Sequence, residues 1–140
     1  MKRAMEAILI LFRLSGLVQL VLGVAFWTGH RMDLVPFHMV NGMVFVLALW
    51  ALAALGFRAG ASGSLVMLSF VWSLLVTALG VTQTRLLPGD WHWVIRVLHL
   101  LTALAAMGLA GRLAVEAGLA PRRARVHRPV VVGWPEGGGM

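Results

Sequence analysis

The sequence predicts an all-α protein, a bundle of four transmembrane helices, and three observations lead there. Of 140 residues, 60% are hydrophobic and only 12% are charged, against about 25% charged in soluble domains. The apolar residues gather into four stretches, each near the roughly 20 residues a helix needs to cross the hydrocarbon. The charged residues fall mostly at the ends of those stretches.

The first span reads from about Met5 to Trp27. It is longer than a signal-peptide h-region and lacks a small-x-small cleavage signal before Thr28, so it is expected to be a mature helix. Gly16, Gln19 and Gly23 share one face, with Arg13 a turn closer to the N-terminus. The second span, Val35 to Phe57, follows Asp33, the expected N-cap. It carries His38, with Asn41 and Gly42 at i+3 and i+4. The third, Ser64 to Val81, aligns Ser69, Ser73 and Thr77 at i+4 steps; such hydroxyls are expected to bond to their own helix or a neighbour. The fourth, Trp91 to Val115, follows Asp90. His92, Arg96 and His99 stand at i, i+4 and i+7 on one face, which Ala103, Ala106 and Ala110 continue. Residues 1–120 therefore make one membrane domain. Residues 121–140, mixing Arg, Pro and Gly, are expected to be a basic, disordered cytoplasmic tail.

The net charge of +7 is unevenly spread. Lys2 and Arg3 precede the first span, Arg58 separates the second from the third, and Arg112, Arg122, Arg123, Arg125 and Arg128 lie at or beyond the end of the fourth. The other two loops balance Arg31 with Asp33 and Arg85 with Asp90. The positive-inside rule then puts both termini in the cytoplasm. High Arg over Lys, with abundant Ala, Leu and Gly, suggests a bacterial genome, and hence a multi-pass protein of the bacterial inner membrane. Cations beside spans answer to topology and lipid headgroups, so the bilayer is an expected partner and nucleic acid is not. The absence of cysteine excludes disulfides, thiolate metal sites, iron–sulfur clusters and covalent haem attachment.

A short repeat organises the chain: Leu22-Gly23-Val24 near the end of the first span recurs as Leu79-Gly80-Val81 near the end of the third. Each copy precedes a histidine-bearing span, so a two-helix unit with a pseudo-twofold axis along the membrane normal would set His38 opposite His99. A neutral imidazole inside a bilayer is costly without a partner, and two facing a bundle interior are natural axial ligands of a haem iron. The residue one turn beyond each histidine is small, Gly42 or Ala103, giving clearance for a porphyrin face. Gln19, Asn41 and Arg96 are the polar groups expected near such a cofactor, with Arg96 suited to an anionic propionate. Counted from Asp33 and Asp90, His38 is five residues in and His99 nine, a depth difference of about 6 Å at 1.5 Å per residue. His92, about 10 Å above His99 on the same face, is the alternative iron ligand.

Pro36-Phe37-His38, and the run Val97-Leu98-His99-Leu100-Leu101-Thr102-Ala103-Leu104, resemble the histidine-bearing second and fourth helices of one four-helix half of haem A synthase, and more broadly a small membrane b-type cytochrome. The resemblance implies haem ligation by His38 and His99. This chain has one such half and no counterpart of the synthase's catalytic glutamate, so haem oxygenation is not implied. The expected function is electron transfer through noncovalently bound haem b, with a membrane quinol or a redox partner subunit as donor or acceptor and with homo-oligomer or complex formation open. The alternative is a cofactor-free small subunit that stabilises a larger complex. A third reading, an enzyme with a divalent metal held by His30, His38 and His92, lacks the usual His-x-x-x-His spacing and any nearby carboxylate apart from Asp33 and Asp90.

Overall fold

A computed structural model describes residues 1–119; the expected tail, with His127 and four arginines, lies outside the described residues. Four helices follow in order: α1 (Lys2–Trp27), α2 (Val35–Arg58), α3 (Gly63–Thr82) and α4 (His92–Glu116). Their lengths of 26, 24, 20 and 25 residues suffice to cross a bilayer at 1.5 Å per residue. All four are apolar enough to do so. The chain is a multi-pass, all-α membrane protein, and the predicted spans agree with the helices to within a few residues.

Outward-facing side chains are as apolar as the core. Met43 and Met67 are each 64% exposed, alongside Leu14, Leu47, Val71 and Leu101. In water so large an apolar surface would drive association; here it meets lipid tails. α1 packs against α2 and α4, α3 packs against the same two helices, and α2 touches α4 across the diagonal. α2 and α4 therefore run parallel, both starting at the end that carries the α1–α2 and α3–α4 loops.

The helix starts differ from expectation at both aspartates. Asp33 does not cap α2: it sits in a 3-10 turn, Met32–Leu34, and its carboxylate takes two hydrogen bonds from the Arg31 guanidinium at 3.1 and 3.2 Å. A charged fork two residues away outcompetes backbone amides for the same oxygens. Leu34 occupies the cap position, with Pro36 in the first turn where its missing N–H costs nothing. At α4 the cap position is Trp91, not Asp90. At the opposite end Gly60 reverses the chain after α2 with φ of +95°, letting the Ala61 amide donate to the Gly56 carbonyl at 2.9 Å.

The largest buried cluster is weighted toward one end. Leu9, Phe12, Leu49, Leu52, Ala106 and Leu113 lie in or near the half that contains the N-terminus and the C-terminal end of α4, Phe45 and Val76 carry the cluster past the middle, and Leu22, Leu79 and Ile95 are buried nearer the other end. Phe12 and Phe45 stack with ring centroids 4.3 Å apart. Phe12→Ala is expected to lower stability by about 2 kcal/mol, mostly through the cavity, because lipid tails offer the unfolded helix an equally apolar surrounding. Reversible unfolding in mixed micelles reads this directly; an unchanged midpoint would show that the cluster does not hold α1 to α2.

Candidate functional site

His38 lies three residues into α2 and His99 seven residues into α4. Because the two helices start at the same end and meet across the diagonal, both imidazoles fall in the half of the bundle next to the α1–α2 and α3–α4 loops. The four-residue difference in depth remains, about 6 Å along the axis.

Both rings are half-buried, and in each the Nδ1 atom is sealed off with no hydrogen-bond partner among the described residues. A buried polar atom left unmatched costs about 1–3 kcal/mol, so such atoms are uncommon in native structures. Two of them, both imidazole nitrogens, in the same half of one small bundle set this region apart.

The two rings have close, apolar neighbours. Phe26 of α1 meets the His38 ring edge-on, with centroids 5.3 Å apart. His99 lies against Gly80 of α3, where an added Cβ would stand 3.1 Å from the ring Cε1. The matching glycine of the sequence repeat, Gly23, would meet nothing within 4 Å. The two histidine surroundings therefore differ: a missing side chain makes room for one ring, and an aromatic edge borders the other. α4 is pinned beside His99 by the Trp72 indole, which donates to the Thr102 carbonyl at 2.8 Å, while the Thr102 hydroxyl donates to the His99 carbonyl at 2.9 Å. Phe26, Trp72 and Thr102 were not singled out from sequence; aromatic and hydroxyl residues are too common in membrane helices to signal such contacts.

Asn41 and Gln19 are turned toward each other. The Asn41 amide donates to the Ser15 carbonyl at 3.0 Å and to the Gln19 side-chain oxygen at 3.1 Å, and the Ser15 hydroxyl donates to the Asn41 side-chain oxygen at 3.0 Å. This network joins α1 to α2 one turn from His38. It also fills the clearance expected over Gly42, whose added Cβ would stand 2.8 Å from the Gln19 Nε2. Asn41→Ala is expected to cost about 1 kcal/mol, since polar bonds between membrane helices average ~0.6 kcal/mol and this residue makes several. Thermal unfolding with the Ser15→Ala double-mutant cycle checks it, and additive effects would contradict the coupling.

On α4 the buried line runs through Ile95, Thr102, Ala106, Leu109 and Leu113. At 100° per residue Arg96 lies about 100° around the helix from that line and His99 only about 40°. Arg96 is accordingly exposed, while His99 and Ala103 are half-buried. The face shared by His92, Arg96 and His99 is thus a flank of the seam and not its centre. His92 is drawn into the α3–α4 loop, with Nδ1 3.2 Å from the Leu86 carbonyl oxygen, and exposed His30 is 3.0 Å from the Thr28 carbonyl oxygen. Among the described residues no three of His, Asp and Glu converge as a divalent-metal site would require. The hydroxyls of α3 are used internally: Ser69 donates to Leu65, Thr77 to Ser73, and Ser73 accepts the Trp50 indole at 2.6 Å.

Fold and site together define a class: a four-helix, multi-pass membrane protein with two unmatched imidazoles in one half of its bundle. No protein-family model, no curated protein and no solved structure matches the chain.

Proposed function

We propose that this protein binds haem b noncovalently through His38 and His99 and carries electrons in the bacterial cytoplasmic membrane. The observation that carries the reading is the pair of buried Nδ1 atoms without partners, on helices that meet across the diagonal. Haem b, when bound, supplies one-electron exchange at its iron. His38 and His99 would each give one neutral ring nitrogen to that iron; ligation through Nδ1 would satisfy the atom that each now buries without a partner. Two protein ligands leave no open coordination position, which favours electron transfer over oxygen chemistry.

The residues present fit the group in further respects. Most of the largest buried cluster lies toward the other end of the bundle, away from the two imidazoles. The Gln19 amide, the atom nearest Gly42, ends a flexible side chain and can swing aside. Arg96, exposed three residues before His99, is the cation available to a propionate, and a charge there would favour the reduced, less positive centre. Lys2, Arg3, Arg58 and Arg112 gather at the terminal end, whereas Arg31 at the other end is neutralised by Asp33. That asymmetry supports a reading with cytoplasmic termini, in which the histidines would lie toward the outer leaflet. A quinol in the membrane or a redox partner subunit would supply or take the electron, and the likeness to one half of haem A synthase points the same way.

Titration of haem into detergent-purified apoprotein tests the reading. Saturation at one haem per chain with a low-spin, six-coordinate spectrum is the expected result. A folded, helical protein that takes up no haem would overturn it and leave the cofactor-free subunit of a larger complex.

A further inference from the structure

A groove of about 720 Å³ runs between α1 and α4 at the terminal end, away from the histidines; Leu9, Arg13, Gly108, Gly111, Arg112 and Leu119 are among its lining residues. Its volume falls in the ~300–1,000 Å³ range of small-molecule sites. Gly108 and Gly111 do not serve close helix packing, since an added Cβ at either would meet nothing within 4 Å. They leave an apolar trough open toward the lipid.

The rim carries charge that the protein does not balance. Arg13 lies eleven residues beyond Lys2, about 16 Å along the helix and inside the apolar span. An arginine at such depth is costly unless it snorkels to a headgroup or finds an anion. The one ion pair among the described residues is Arg31 with Asp33, far away in the opposite loop. Glu116, the carboxylate lining the groove, accepts the Ser62 backbone N–H at 2.9 Å across the start of α3; it lies within electrostatic range of Arg112. Two guanidiniums against one committed carboxylate leave the rim cationic.

We propose that this groove seats one anionic phospholipid of the adjacent leaflet, its phosphate held by Arg13 and Arg112 and an acyl chain lying over Gly108 and Gly111. Guanidinium groups bind phosphate oxygens bidentately, and basic clefts between membrane helices take anionic headgroups. The charge argues against the other occupants. A second copy would bring its own Arg13 and Arg112 to the same face. The chain beyond Leu119 continues into Arg122, Arg123, Arg125 and Arg128, a sequence whose like charge disfavours it as the occupant of a cationic rim.

The test is native mass spectrometry of the full chain released from micelles doped with phosphatidylglycerol or with phosphatidylcholine of identical acyl chains. One retained phosphatidylglycerol per chain is expected, preferred by roughly tenfold or more. The preference should vanish in the Arg13→Gln/Arg112→Gln variant and persist in Arg58→Gln, whose charge lies outside the groove. Gly108→Leu fills the trough without changing charge and should also release the lipid, so it carries the test if the double variant loses its helical circular dichroism. Equal retention of both lipids, or retention unaffected by filling the trough, would overturn the proposal. Displacement by millimolar inorganic phosphate would overturn the lipid as the source of the anion, and a Gly108→Cys variant that oxidises to a disulfide-linked dimer in the micelle would overturn it in favour of a second copy.

Discussion

His38→Ala and His99→Ala are each expected to lose bound haem almost completely, with affinity falling at least about a hundredfold. The magnitude follows from the role: even removing the partner that orients a metal ligand costs ~10–100-fold, and here the ligand itself goes. His92→Ala and His30→Ala should retain full haem, because those rings lie against the Leu86 and Thr28 carbonyls. Stability should move in the opposite direction. Without haem, each of the two histidines buries an Nδ1 atom that nothing satisfies, so His99→Leu should make the apoprotein more stable, by about 1 kcal/mol. A purely structural histidine would not show this split, in which haem is lost while the apo fold gains. The checks are haem content after gel filtration and thermal unfolding of the apo forms; an apoprotein weakened by His99→Leu, with haem retained, would refute the assignment.

Gly80→Leu is the second large expected effect, and it reaches the site without touching a ligand. A Cβ at this position stands 3.1 Å from the His99 ring, and the remaining atoms of leucine would need the space the ring occupies. Overpacking of this kind costs typically 1–3 kcal/mol. Here the easiest relief is rotation of the imidazole, so haem should be lost even though His99 remains. Gly80→Ala should weaken binding only partially, because a ring shift of a few tenths of an ångström relieves it. Gly23→Leu, at the corresponding place in the repeat, should leave binding intact, since nothing lies within 4 Å there. Pyridine haemochrome content of the three variants separates these outcomes. Equal loss in Gly23→Leu and Gly80→Leu would show a general membrane-helix defect instead of contact with His99.

The spans were legible because crossing a bilayer is a demand on composition and length, which a sequence carries openly. The helix starts were less so: Asp33 has the chemistry of a cap, but Arg31 two residues earlier takes its oxygens, a competition that spacing alone does not resolve. Arg96 shows a different limit. Its i+4 relation to His92 is real, yet which flank of a helix faces inward depends on the neighbours, and the line of Ile95, Thr102 and Ala106 turns Arg96 outward. Asn41 and Gln19 were legible as polar residues on inward faces, but not as partners of each other and of Ser15, since a side chain's hydrogen bonds are set by helix contact. Gly80 was visible in the Leu-Gly-Val repeat; its contact with His99 arises only when α3 and α4 pack.

The most direct measurement is the dithionite-reduced minus air-oxidised visible spectrum of the detergent-purified protein, expressed with ample haem supply. A sharp alpha band of six-coordinate haem b, at one haem per chain and absent in His38→Ala and His99→Ala, is the predicted result. A featureless difference spectrum from protein that is folded and helical would contradict it.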